Sequence, residues 1–88
     1  LRGGYLNKFG FLVLSILYAN GATDKMQAMS VQDIKDTENL EYETDTFYRQ
    51  LKKFVLNSYV GQGAKDGRAH TYYITPKGID ALEEEKSE

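Results

Sequence analysis

Six cations lie between residues 46 and 77: Arg49, Lys52, Lys53, Lys65, Arg68 and Lys77, with only Asp66 opposing them. Cations so grouped are suited to holding anions. The guanidinium fork of Arg49 matches a phosphate or a guanine edge bidentately, whereas Lys52 and Lys53 meet phosphate as point charges. Thr44, Thr46, Tyr48 and Gln50 sit beside these cations and carry hydroxyl or amide groups able to bond a phosphate or a base edge. Lys65 and Arg68 flank an Asp-Gly pair, and His70 follows. The candidate nucleic-acid contacts are therefore Thr44, Thr46, Tyr48, Arg49, Gln50, Lys52, Lys53, Lys65, Arg68 and His70. Each also has a plainer role open to it. Charged residues on an exposed helix and at a hairpin tip occur on any soluble domain. Tyr48, Tyr59, Tyr72 and Tyr73 suit core and hairpin packing, and His70 suits a strand position with one hydrogen bond.

Other chemistries lack their residues. There is no cysteine and one histidine, so neither a thiolate nucleophile nor a multi-histidine metal site is available. Ser15, Ser30, Ser58 and Ser87 have no base and orienter at motif spacing. The glycines of GQGAKDG lack the strand–loop–long-helix setting of a phosphate-binding loop. The expectation is a protein that is not an enzyme and uses no metal or cofactor. The longest apolar run, Phe11 to Tyr18, is far short of the ~20 residues that span a bilayer. The N-terminus has no signal-peptide pattern. A cytoplasmic protein without a membrane partner is expected, and a first residue of Leu suits a processed or trimmed chain.

The scaffold for these residues follows from periodicity. The 88 residues suffice for one domain, and 41% of them are hydrophobic. From Asn7, the residues Phe9, Leu12, Val13, Ile16 and Leu17 recur at helical spacing, and Phe11, Leu14 and Tyr18 widen the stripe. Asn20 and Gly21 end that helix. After a loop over 21–29, Ser30 and Asp33 form a capping-box variant that starts a short helix ending at Asp36 or Thr37. Residues 38–43 turn, with Leu40 or Tyr42 as plug. Thr44, with Glu43 as rival, caps a third helix whose buried stripe is Phe47, Leu51, Phe54 and Val55. Tyr59 and Val60 open a strand that Gly61 and Gly63 interrupt. KDGR at 65–68 is a hairpin tip, and AHTYYI returns as a strand with His70, Tyr72 and Ile74 on one face. Thr75 caps a last helix with Pro76 at its first position and Ile79 and Leu82 inward.

Three helices, two strands and a helix, with a turn between helices two and three, make a winged helix-turn-helix: mainly α with a small β-hairpin wing, and room for a short extra strand near Met29. Residues 1–6 are expected to be a flexible N-terminus, 7–84 the domain and 85–88 a frayed acidic tail.

Over roughly residues 8–84 the chain resembles winged-helix bacterial and archaeal regulators, the MarR and PadR groups nearest. Thr46, Phe47, Tyr48, Arg49 and Leu51 match the start of their recognition helix. Phe54, Ser58, Tyr59 and Val60 match its exit, with Ser58 where those proteins usually have glycine. Tyr73, Ile74, Thr75 and Gly78 match the strand leading from the wing into the last helix. The resemblance implies a sequence-specific double-stranded DNA-binding transcriptional regulator, a repressor acting as a dimer; the expected dimer surface is the exposed apolar residues of helix 1 such as Phe11, Leu14 and Tyr18, with the C-terminal helix as the alternative. It assigns no small-molecule effector.

Charge placement supplies the alternative. Net charge is −2, but residues 24–45 carry −5, residues 46–77 carry +5 and residues 78–88 carry −4. A basic middle fits a nucleic-acid footprint. Glu38, Glu41, Glu43 and Asp45, however, crowd the approach to helix 3 and would repel phosphates. They leave open a winged-helix protein-interaction module, or a component of a plasmid or phage replication or partition complex.

Overall fold

The computed structural model describes residues 6–65 and 67–86. Its elements are α1 (Lys8–Ala19), a 3-10 turn (Lys25–Gln27), β1 (Met29–Ser30), α2 (Val31–Thr37), α3 (Thr44–Leu56), β2 (Val60–Gln62), β3 (Thr71–Ile74) and α4 (Pro76–Lys86). The strands form one antiparallel sheet in the order β1-β3-β2. This is the winged helix-turn-helix expected from the sequence, and the short extra strand is present at Met29. Among the described residues, no helix is long and apolar enough to cross a membrane.

Local chemistry sets most boundaries. Asn7 Oδ1 accepts from the Gly10 amide and starts α1, and Gly21 at φ 73° follows its Asn20 cap. Ser30 and Asp33 form the full capping box of α2: Ser30 Oγ accepts from the Asp33 amide and Asp33 Oδ2 from the Ser30 amide, both at 3.1 Å. Thr75 Oγ1 accepts from the Gly78 amide at 3.0 Å at the start of α4. Phe47, Leu14, Leu17, Ile34, Leu51, Ile74, Leu82 and Val13 are the largest fully buried side chains, so every helix contributes to one core.

Three expectations change. Leu14 is fully buried rather than on an outer apolar patch, because α1 is packed on several sides, against α2, α4 and β3. Of the residues grouped with it, Phe11 is half-buried and Tyr18 is 39% exposed. Thr44 is not the cap of α3. Glu43 holds the extended cap conformation, its carbonyl accepts from the Thr46 and Phe47 amides, and its side chain makes no cap bond. Thr44 Oγ1 instead accepts from Lys35 Nζ at 3.4 Å. Gly61 does not interrupt β2; it pairs with Tyr73 inside the strand, and the Tyr73 ring covers the place a Cβ would take. At the hairpin tip, Gly67 has the positive φ of a tight turn, 66°, while Asp66 lies outside the described residues. At the ends, Leu6 is 6% exposed within the core and α4 runs through Lys86.

Candidate nucleic-acid interface

The helix-turn-helix unit is α2, the turn and α3. Its turn is held by packing and by backbone bonding, the Leu40 amide donating to the Lys35 carbonyl at 3.1 Å. Asn39 takes a left-handed φ of 52°, and Leu40 packs on the core. Tyr42 stacks tilted on Phe9 at 4.5 Å between centroids, and Phe9 meets Phe47 edge-on at 5.0 Å. These contacts tie the turn and the first turn of α3 to the start of α1. Of the two plugs expected, Leu40 is half-buried and Tyr42 remains 45% exposed with its ring in this cluster.

Burial then fixes which face of α3 looks outward. Phe47, Leu51 and Phe54 point into the core. At about 100° per residue the opposite crest carries Asp45, Arg49, Lys52 and Leu56, and all four are exposed. Thr46 and Gln50 are half-buried on the flank toward α1. There a groove of about 480 Å³ is lined by Asn7, Phe9, Thr46, Arg49, Gln50 and Lys53, with Lys52 and Leu56 at its edge. Tyr48 lies on the other flank, toward the sheet, and is 39% exposed. The α3 candidates therefore spread over the crest and both flanks: Arg49 and Lys52 on the crest, Thr46, Gln50 and Lys53 on the flank toward α1, and Tyr48 on the flank toward the sheet. Thr44 is exposed at the start of the helix and engaged by Lys35.

The helix exit is abrupt. Asn57 caps it, and Ser58 takes φ 64°, the left-handed geometry for which glycine is the usual residue. The Tyr59 amide donates to the Phe54 carbonyl at 2.9 Å and turns the chain into β2. Lys65, Arg68 and His70 are exposed in the β2–β3 connection, and no described contact or groove joins them to α3. Thr71 Oγ1 donates to the Ala64 carbonyl at 2.5 Å and Gly63 donates to the Thr71 carbonyl at 3.0 Å, which anchors the base of the wing.

Electrostatics divide the unit. Glu38, Glu41 and Glu43 are exposed in the turn, and Asp45 lies in the first turn of α3, where a carboxylate favours the helix dipole. The basic surface begins one helical turn later, at Arg49. Burial pushes the Tyr72 hydroxyl above its ordinary 10.0, opposed by a hydrogen bond from the Gln62 side chain and assisted by Tyr48. Among the described residues no cluster of His, Asp or Glu is placed to hold a metal ion.

Sequence reasoning passed over Leu56, which is 77% exposed amid the cations of α3. Its place at helical spacing from Arg49 and Lys52 was the available signal. Asn7 and Phe9 gave none, since their part in the groove depends on how α1 crosses α3.

No family model matches the chain. The DNA-binding protein TubR of a Clostridium botulinum C phage is 32% identical over 77 residues, covering 88% of this chain and 93% of that protein. The structure of TubR from Bacillus megaterium pBM400 superposes with a TM-score of 0.76 at 28% identity, over 89% of this chain and 83% of that one. The solution structure of the DNA-binding TubR fragment from Clostridium botulinum gives 0.69 at 32% identity, over 90% and 95%. The complex structure of hsRosR-S4 matches at 0.74 with 20% identity, over 98% and 72%, a likeness of fold. With that identity over nearly the whole length of the phage relative, the chain belongs to the TubR family.

Proposed function

We propose that the chain binds double-stranded DNA sequence-specifically and acts as a transcriptional regulator, a repressor that occludes its promoter. In this reading α3 enters the major groove. Arg49 takes a base edge or a nearby phosphate. Thr44, Thr46, Tyr48 and Gln50 supply further polar contacts, and Lys52 and Lys53 hold the backbone. Lys65, Arg68 and His70 carry the wing along the phosphates. The single observation behind this reading is the exposed outer surface of α3, with Arg49 and Lys52 on its crest and Lys53 beside them on the α1 flank, in a chain whose phage relative is a DNA-binding protein. The MarR- and PadR-like motifs at 46–51, 54–60 and 73–78 support a regulator of that general kind. The protein acts as a cytoplasmic homodimer and performs no catalysis. Two-fold symmetry doubles a modest basic surface and sets half-sites about one helical turn apart.

A second reading, a component of a phage or plasmid partition or replication complex, is favoured by the phage source of one relative. The exposed acidic turn would then serve a protein partner while α3 holds DNA.

Fluorescence anisotropy with a generic labelled duplex tests DNA binding. The wild type binds and weakens steeply between about 50 and about 200 mM salt through counterion release. An Arg49→Ala, Arg68→Ala double variant binds less tightly and with a shallower salt dependence. No binding at micromolar protein in low salt contradicts the reading.

A further inference from the structure

A second cleft lies on the other side of α3, between the helix and the sheet. Tyr48, Lys52 and Val55 form one wall, and Gln62 of β2 and Tyr72 of β3 form the other, around about 320 Å³. Its floor is apolar: Tyr72 is buried and Val55 is half-buried against the core. Its rim is polar and exposed, with the ammonium of Lys52, the amide of Gln62 and the hydroxyl of Tyr48. Among the described residues, no carboxylate lines it. Gln62 and Tyr72 face each other in the β2–β3 pairing, so the backbone register sets where the amide stands. Lys52 lines this cleft and also edges the groove against α1. The two recesses therefore meet across the crest of α3.

We propose that this cleft seats one deoxyribose–phosphate unit of a DNA strand, with Lys52 and Gln62 on the phosphate and the sugar against Tyr72 and Val55. The inference rests on the DNA-binding reading above and deepens it. Charge and shape select the occupant. A lone cation beside a neutral amide suits a singly charged phosphodiester. The apolar floor suits the C–H face of a sugar, and the position between a groove-binding helix and its wing is where a backbone strand must pass. Gln62 thereby becomes a positioning contact, fixing the register of α3 in the groove without reading sequence.

Duplex binding by the full chain tests this with Lys52→Ala and Gln62→Glu, using Arg49→Ala as a control outside the cleft. Both cleft positions are exposed and Gln62→Glu keeps the shape of the side chain, but it replaces the amide that bonds the Tyr72 hydroxyl, so thermal melts of both variants are compared with the wild type before binding is read. Loss of one phosphate contact shrinks the fall in affinity between about 50 and about 200 mM salt by about threefold, and Lys52→Ala does so. Gln62→Glu places a carboxylate against the phosphate and weakens binding by about tenfold, equally across duplex sequences. If both variants bind like the wild type while Arg49→Ala is weakened, the cleft is empty and DNA binding through α3 stands. If the wild type binds no duplex, the cleft assignment falls together with the reading it rests on.

Discussion

The Thr75 hydroxyl donates to the Ser58 carbonyl at 2.6 Å while accepting from the Gly78 amide at 3.0 Å. One side chain thus caps α4 and ties it to the left-handed exit of α3, residues 17 apart in the chain. The Thr75 amide also donates to the Tyr59 carbonyl at 3.0 Å. Thr75→Val keeps the shape and removes both hydroxyl bonds. It is expected to lower stability by about 1–2 kcal/mol, and Thr75→Ser to recover most of that, as read by urea unfolding.

The Gly61–Tyr73 pair makes a second prediction. A methyl at Gly61 enters the space of the Tyr73 ring. Gly61→Ala is expected to destabilise by about 1–3 kcal/mol, the usual penalty of overpacking. Adding Tyr73→Leu, which vacates that space, makes the double variant less destabilised than the two single effects added together. Thermal melts of the four chains in the cycle measure the coupling.

How far these features were legible in the sequence differs by their origin. The caps at Ser30 and Thr75 and the glycine at 21 were readable because each acts within a few residues of itself. The stripe Phe47, Leu51 and Phe54 was readable because helical period alone assigns it inward, and the same period placed Arg49 and Lys52 outward. Leu14 was misjudged because a wide apolar stripe does not say how many neighbours surround a helix. Gly61 was misjudged because its reason is an aromatic ring on the facing strand, 12 residues away in the pairing. Gln62 went unnoticed as a polar strand residue, since only the packing of α3 on the sheet brings it to Lys52 and Tyr48.

Leu14 yields a prediction that separates core from interface. Leu14→Ala leaves a cavity beneath α1 and is expected to destabilise by about 2–5 kcal/mol. Its melting temperature should fall by the same amount at every protein concentration, because the residue is fully buried within one chain. Tyr18→Ala, at a position 39% exposed, should leave the stability of the single domain within about 0.5 kcal/mol of the wild type.

A pH dependence follows from Tyr72. Burial raises its hydroxyl above 10.0 in the folded chain, so the folded state keeps a proton that the unfolded state has already released. The stability linked to that group is complete below about pH 10 and declines as pH rises through the folded value. Tyr72→Phe removes the linkage. Its urea-unfolding stability should fall less steeply above pH 10 than that of the wild type.

If α3 and the wing form the DNA face, a short duplex added to the labelled protein in low salt shifts the backbone amides of those two elements. The largest shifts are expected at residues 44–53 of α3 and 62–70 of the hairpin, with 38–42 of the acidic turn and 79–86 of α4 nearly unmoved. Shifts concentrated in the acidic turn or along α4, with the Arg49 and Lys52 amides unchanged, would contradict it.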